Sequence, residues 1–227
     1  MSIQQVFEMN NLAVVHLHEG RVNEAAMILR QAITTLRDLS HPSQVTQESQ
    51  SPLQQNHTFF RSVSVCCKIF PHNQDPHSQL LFKNALFLDG CCFASNSLDL
   101  ACATVLYNMA LSYHLMECLE AKENQGAAGE WSTSALRLYQ MAIEIVSRLP
   151  TELMPPSFEI LALAALNNSA DLATQSFDRE LSSRHATAMN QILSTLSLAP
   201  NVDEESYYFF FVNAIYFKEQ NLVAAPA

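Results

Sequence analysis

Cysteine and histidine are the residues of this 227-residue chain that could do chemistry, because they bind metals and act as nucleophiles or bases. Two adjacent pairs, Cys66-Cys67 and Cys91-Cys92, flank His72 and His77 and so raise a zinc site as a hypothesis. Zinc ligands are usually two to four residues apart, whereas neighbouring residues of a strand point to opposite faces. The spacing therefore favours reduced thiols packed as small apolar groups, with a metal-dependent activity as the lesser alternative.

The other pairings that an enzyme would need are also poorly placed. His16 and His18 lie two residues apart in a predicted helix, so they face different sides of it. Cys102 and His114 lie three turns apart in another predicted helix, too far for a nucleophile and its base. The chain has no G-x-S-x-G or H-E-x-x-H motif, and four glycines are too few for a phosphate-binding loop. We expect neither an enzyme nor a bound cofactor.

The net charge of −10 narrows the classes of partner. Nucleic acids and anionic membranes attract clustered Lys and Arg, so we expect neither to bind. The longest strongly apolar stretch, from Tyr207 to Phe217, is interrupted by Asn213 and is shorter than the roughly 20 residues that cross a bilayer. The first residues lack the basic start of a signal peptide. The sequence predicts an intracellular, cytoplasmic protein and does not separate cytoplasm from nucleus.

Helices must position most of these residues, because the chain combines 48% apolar residues with only four glycines. Apolar residues recur at three- and four-residue steps, which is typical of amphipathic helices. The whole chain, 1–227, is predicted to be one domain. Helices are predicted at 3–18, 22–39, 97–122, 132–149, from Pro155-Pro156 to about 176, at 179–198 and at 204–219.

Residues 40–96 interrupt this helical pattern in two ways. Residues 40–58 are rich in Ser and Gln and contain two prolines, which predicts a flexible loop. In residues 59–90, the apolar stretches Phe59–Phe70 and Leu80–Leu88 flank the turn-like sequence PHNQDP. This pattern predicts a β-hairpin inserted between the helices, before further helices at 97–219.

Small residues recur at matched places in three pairs of predicted helices. The first pair has Asn11-Leu12-Ala13 followed by Gly20, and the later pairs begin at Asn108-Met109-Ala110 and Asn168-Ser169-Ala170. The pattern resembles tetratricopeptide repeats, in which small residues stand where two helices touch. The matched packing positions are Ala13, Gly20, Ala25, Ala32, Ala110, Ala135, Ala142 and Ala170. In the third pair the second helix departs from the pattern, with His185, Met189 and Ile192 where Ala, a large residue and Ala are expected.

The resemblance implies a mainly α fold, a solenoid of about three antiparallel helix pairs with the inserted β-hairpin and a C-terminal capping helix. In such repeats the first helices line a concave groove, where an amide side chain can donate to and accept from the backbone of an extended peptide. The candidate groove residues are Asn11, Asn108, Asn168, Asn213, Phe7, His114 and Asn167. The resemblance therefore implies a protein-interaction scaffold that binds another protein or peptide. Phe7 and Ala164 stand where one subclass has basic residues for acidic chaperone tails, so a basic or neutral partner fits better.

An aromatic helix suggests a second function. The run Tyr207–Phe211, with Tyr216 and Phe217, surrounds the predicted helix at 204–219. A helix that is apolar all round is either buried or meets a partner. The alternative function is therefore a structural subunit that forms a homodimer through 204–219 and binds no peptide.

Overall fold

The structure, a computed structural model, describes residues 2–40, 60–65, 79–88, 97–123, 129–149, 157–196 and 204–222. These residues form seven helices and one two-stranded antiparallel sheet, which confirms the mainly α prediction. The helices are α1 (Ile3–His18), α2 (Val22–Ser40), α3 (Ser97–Glu123), α4 (Glu130–Arg148), α5 (Ser157–Gln175), α6 (Arg179–Leu196) and α7 (Glu204–Leu222). The predicted loop lies outside the described residues except for Ser40, and so do both cysteine pairs, His72 and His77. No described helix has the length and apolar character that crossing a bilayer requires.

The first helix pair shows how the sequence sets the ends of its helices. Ser2 caps α1, since its Oγ accepts from the N–H of Gln5 while Gln5 Oε1 accepts from the N–H of Ser2. At the other end Gly20 has φ +81°, a left-handed conformation that costs glycine little. The N–H of Gly20 donates to Leu17 O at 3.1 Å and the N–H of Arg21 donates to His16 O at 2.8 Å. These two bonds form a glycine-type helix end that turns the chain into α2.

The turn between α5 and α6 repeats this geometry without a glycine. Phe177 has φ +60°, its N–H donates to Thr174 O at 3.1 Å, and the N–H of Asp178 donates to Ala173 O at 2.8 Å. A left-handed conformation is strained for a side chain as large as phenylalanine. Gly20 and Phe177 are therefore equivalent turn positions.

That equivalence corrects the predicted register of the third pair. Ala25 and Ser182 are each the fifth residue after the turn position, and their N–H groups donate to Arg21 O and Asp178 O, both at 3.1 Å. By the same count Ala186 and Met189 correspond to Leu29 and Ala32. The predicted assignment of His185, Met189 and Ile192 was therefore shifted by three residues, and small, buried Ser182 takes the place of Ala25.

Each helix packs against the next one along the chain, and the odd-numbered helices also contact one another in the order α1, α3, α5, α7. The alanines at the predicted packing positions are all fully buried, which permits this close approach. They are Ala13, Ala25, Ala32, Ala110, Ala135, Ala142 and Ala170.

The sheet pairs β1 (Phe60–Ser64) with β2 (Asn84–Leu88), so that Phe60 lies opposite Leu88. The predicted antiparallel pairing is confirmed over shorter strands, and the linking residues 66–78 lie outside the described part of the chain. The N–H of Val65 donates to Lys83 O at 2.8 Å. The backbone N–H and C=O groups of successive residues point to opposite edges of a strand. Those of the odd-numbered residues of β2 therefore point toward β1, and those of the even-numbered residues point toward the other edge. On that edge lie α1 and α3, which both contact β2.

Candidate functional site

The candidate site is a row of asparagines on the odd-numbered helices. Asn11 lies on α1, Asn108 on α3, Asn168 on α5 and Asn213 on α7, as the resemblance implied. All four bind the backbone of residues 80–88, which we call the resident segment. We call this row, with Asn10 and Asn167 beside it, the asparagine ladder.

Three ladder amides each bind both backbone groups of a single residue. In every case Oδ1 accepts from the N–H and Nδ2 donates to the C=O of the same residue. The two distances are 2.8 and 2.8 Å for Asn11 on Leu88, 2.9 and 2.8 Å for Asn108 on Leu86, and 2.8 and 3.1 Å for Asn168 on Phe82. Each amide thus takes the place of a neighbouring strand at one residue.

The remaining even-numbered residues of the resident segment are also held by helix side chains. Leu80 O accepts from Nδ2 of Asn167 at 2.7 Å and from Nδ2 of Asn213 at 3.0 Å. Asn84 O accepts from the hydroxyl of Tyr107 at 2.9 Å. Every carbonyl at positions 80, 82, 84, 86 and 88 therefore has a side-chain donor from the odd-numbered helices.

Contacts between amides fix the direction in which each one points. Nδ2 of Asn108 donates to Asn10 Oδ1 at 2.8 Å, and Nδ2 of Asn10 donates to Leu86 O at 2.9 Å. At the other end Nδ2 of Asn213 donates to Asn167 Oδ1 at 2.8 Å. Sequence reasoning missed Asn10 and Tyr107. The doublet Asn10-Asn11, repeated as Asn167-Asn168, was the signal that could have found Asn10.

The ladder is buried where it binds the resident segment. Asn10, Asn108, Asn167 and Asn168 are each 0% exposed, and Asn11 is half-buried. Amides carry no charge, so their burial costs little once each polar atom is paired. The sequence predicted a groove open to a separate peptide, whereas the structure places the chain's own segment on the predicted residues.

Side chains of the resident segment are buried along with its backbone. The ring of Phe82 packs against two aromatic residues of α7, with centroids 4.7 Å from Phe210 and 5.6 Å from Phe209. Leu86 and Leu88 are almost fully buried, at 1% and 2% exposure. The segment is therefore held by its backbone at the ladder and by apolar side chains in the core.

Two predicted groove residues lie in the core instead of on the ladder. Phe7 is buried in the main hydrophobic cluster. His114 packs edge-on to Tyr139 with centroids 6.2 Å apart, and its Nε2 lies 3.5 Å from Asp171 Oδ2. The carboxylate favours the charged imidazole, but desolvation is the larger effect, and burial lowers the pKa of His114 to about 3.

Metal ligation gains no site from the described residues. Across the described ranges no group of three or more His, Cys, Asp or Glu side chains could hold a metal ion. His18 Nδ1 lies 2.9 Å from Ser64 O, and His185 Nε2 lies 3.0 Å from Ser169 Oγ. Burial, with Arg184 nearby, lowers the pKa of His185 to about 4. These two histidines therefore have structural partners.

Comparisons of the chain with protein-family profiles, with curated proteins and with solved structures find no match. A function is therefore inferred from the geometry of the asparagine ladder.

Proposed function

We propose that this protein is a protein-interaction scaffold that holds an extended polypeptide by its backbone in the concave groove of a tetratricopeptide-like stack of helix pairs. The observation that carries the proposal is the set of three asparagines that each bind the N–H and C=O of one residue. The packing of successive helices, the buried alanines and the two equivalent turns support the stacked architecture.

The chemistry of the ladder suits polypeptides as a class. Every residue except proline carries one backbone donor and one acceptor, and an asparagine amide satisfies both. The ladder therefore acts like the edge of a sheet, to which an extended chain adds by backbone hydrogen bonds. In the structure the resident segment occupies this edge, so a partner would bind by taking its place.

The test captures peptides from a digested lysate on the full-length chain carrying Phe82→Ala. This change removes the aromatic anchor of the resident segment and leaves its backbone bonds unchanged. We expect Phe82→Ala to capture more peptides than the wild type, and a further Asn108→Ala change to abolish the gain.

The matched control is Ser112→Ala, one turn from Asn108 on α3. Ser112 is equally buried, and its Oγ donates to Asn108 O at 2.8 Å within the helix. Its removal in the Phe82→Ala background should leave capture unchanged. Equal capture with and without Asn108→Ala would count against the scaffold proposal.

A second candidate function, self-association, is favoured by one face of α7. Tyr208, Phe211, Val212 and Ile215 follow helical spacing and are 40% to 68% exposed, whereas Phe210 on the opposite side is fully buried. Exposed apolar stripes of this kind mark association sites. Sedimentation velocity over a concentration series tests this candidate. A dimer that Ile215→Glu dissociates would support it, and a strict monomer would exclude it.

A further inference from the structure

We propose that the groove accepts an extended segment of defined apolar pattern from a partner protein, in exchange for the resident segment. The pattern is an aromatic residue, then a small residue three positions later, and large aliphatic residues four and six positions after the aromatic one. It is the pattern of Phe82, Ala85, Leu86 and Leu88. This inference rests on the proposed function, since it names the partner that the scaffold selects.

The first position of the pattern is read by α7. Phe82 is buried against Phe209 and Phe210, and its N–H and C=O are both held by Asn168. Both centroid distances fall within the range of roughly 4.5–7 Å for favourable aromatic pairs. A partner residue at this position must therefore combine an aromatic ring with an unblocked backbone N–H, which excludes proline.

At the later positions the groove selects side chains by their size. Leu86 and Leu88 are almost fully buried and are held by Asn108 and Asn11 at their backbones. Ala85 is 1% exposed, so a larger side chain there would have to displace packed atoms. By contrast Lys83, Asn84 and Phe87 are only half-buried. Asn84 should tolerate substitution, whereas Phe87 packs against the main hydrophobic cluster. The lysine agrees with a basic or neutral partner for a chain of net charge −10.

A partner segment could make the same contacts as the resident segment, because the bound strand offers only its backbone groups along both edges. A partner segment in the same register would meet the ladder on its even-numbered positions and β1 on its odd-numbered ones. The resident segment competes with the advantage of being tethered, which acts as a high effective concentration. Binding from solution is therefore weakened by the fraction of molecules in which the groove is filled. The resident segment is in this sense an internal competitor.

The experiment titrates a labelled peptide of residues 79–88, QLLFKNALFL, into full-length protein and follows fluorescence anisotropy. The peptide should bind the Phe82→Ala variant at least about tenfold more tightly than the wild type, because the competitor is weaker. Peptides with Phe82→Ser or Ala85→Leu should bind the variant at least about tenfold more weakly than the native peptide, because each changes one read position. A peptide with Asn84→Ala should bind like the native one.

The outcomes separate this inference from the proposed function. If all four peptides bind equally and Asn108→Ala abolishes their binding, the scaffold stands and the apolar pattern is overturned. If no peptide binds, both are overturned. A dimer that grows with protein concentration and is dispersed by added peptide would assign the groove to a second copy of the chain, and would also overturn the inference.

Folding of the variants is controlled in two ways. Circular dichroism at 222 nm checks that Phe82→Ala keeps its helices. Leu86→Ala is a second variant with a weakened resident segment, and its missing side chain lies beside Asn108 instead of Asn168. For each variant the native peptide should raise the melting temperature, and the peptide that lacks the side chain deleted from the protein should not. Equal shifts with both peptides would contradict selection by pattern.

Discussion

Replacing Asn108 by alanine should destabilise the protein strongly. Asn108 is 0% exposed and makes three hydrogen bonds of 2.8 to 2.9 Å, two with Leu86 and one with Asn10. Leu86 O keeps a donor in Asn10, but the N–H of Leu86 and Oδ1 of Asn10 lose theirs. A buried polar group left without a partner costs about 1–3 kcal/mol, so two of them give an expected loss of about 2–6 kcal/mol.

The same reasoning predicts a graded series. Asn11 is half-buried, so water can replace its amide, and Asn11→Ala should cost only about 1–2 kcal/mol. Ser112→Ala removes a hydroxyl and leaves no buried donor unpaired, so it should cost less than about 1 kcal/mol. Urea unfolding followed by circular dichroism measures all three, provided that the slope with denaturant is unchanged. If Asn108→Ala and Ser112→Ala differ by less than about 1 kcal/mol, the ladder does not hold the segment as described.

Three further changes test other parts of the structure by thermal or urea unfolding. Phe177→Gly should stabilise the chain by about 0.5–1 kcal/mol, because relief of left-handed strain exceeds the entropy cost of glycine; a loss of stability would contradict the equivalence of this turn with the first. Ala32→Leu should cost about 1–3 kcal/mol through overpacking at a fully buried contact, whereas Thr34→Leu on the exposed side should change little. Burial lowers the pKa of His114 to about 3, below the value of about 6.5 for an unfolded histidine, so the unfolded chain binds the extra proton and stability falls as pH drops from 7 to 5. His114→Leu should remove about 2 kcal/mol of that loss, and an unchanged pH dependence would show that His114 is not buried neutral.

The helices could be predicted because their signals are local. Apolar spacing of three and four residues defined the first two helices, and Gly20, Pro150 and Pro155-Pro156 marked where helices end or begin. The third pair was misaligned because Phe177 takes a left-handed conformation, which is not expected of a large residue. Because this turn contains no glycine, the sequence does not mark the turn position from which Ser182 is the fifth residue.

The ladder asparagines were found from their spacing to alanine, but their ligand was not. Asn11 and Leu88 are 77 positions apart, and Asn213 and Leu80 are 133 apart. A short apolar run such as Leu80–Leu88 predicts a strand. It contains no information about which distant side chains will hydrogen-bond to the edge of the strand that is not paired with β1. The amides and the strand could each be predicted from the sequence, whereas the contact between them depends on the tertiary fold.

Why the segment needs the ladder follows from the energetics of one residue. Burying Leu86 gains about 1.5–3 kcal/mol from its side chain. A strand buried with one edge unpaired would leave both backbone groups of Leu86 without partners, at about 2–6 kcal/mol for the two. Apolar attraction alone therefore does not keep this strand inside the stack, and Asn108 reverses the balance by pairing both groups at once. Loss of that amide should consequently weaken the hold on the segment, and the residues that hold the internal segment are also those that would hold its replacement.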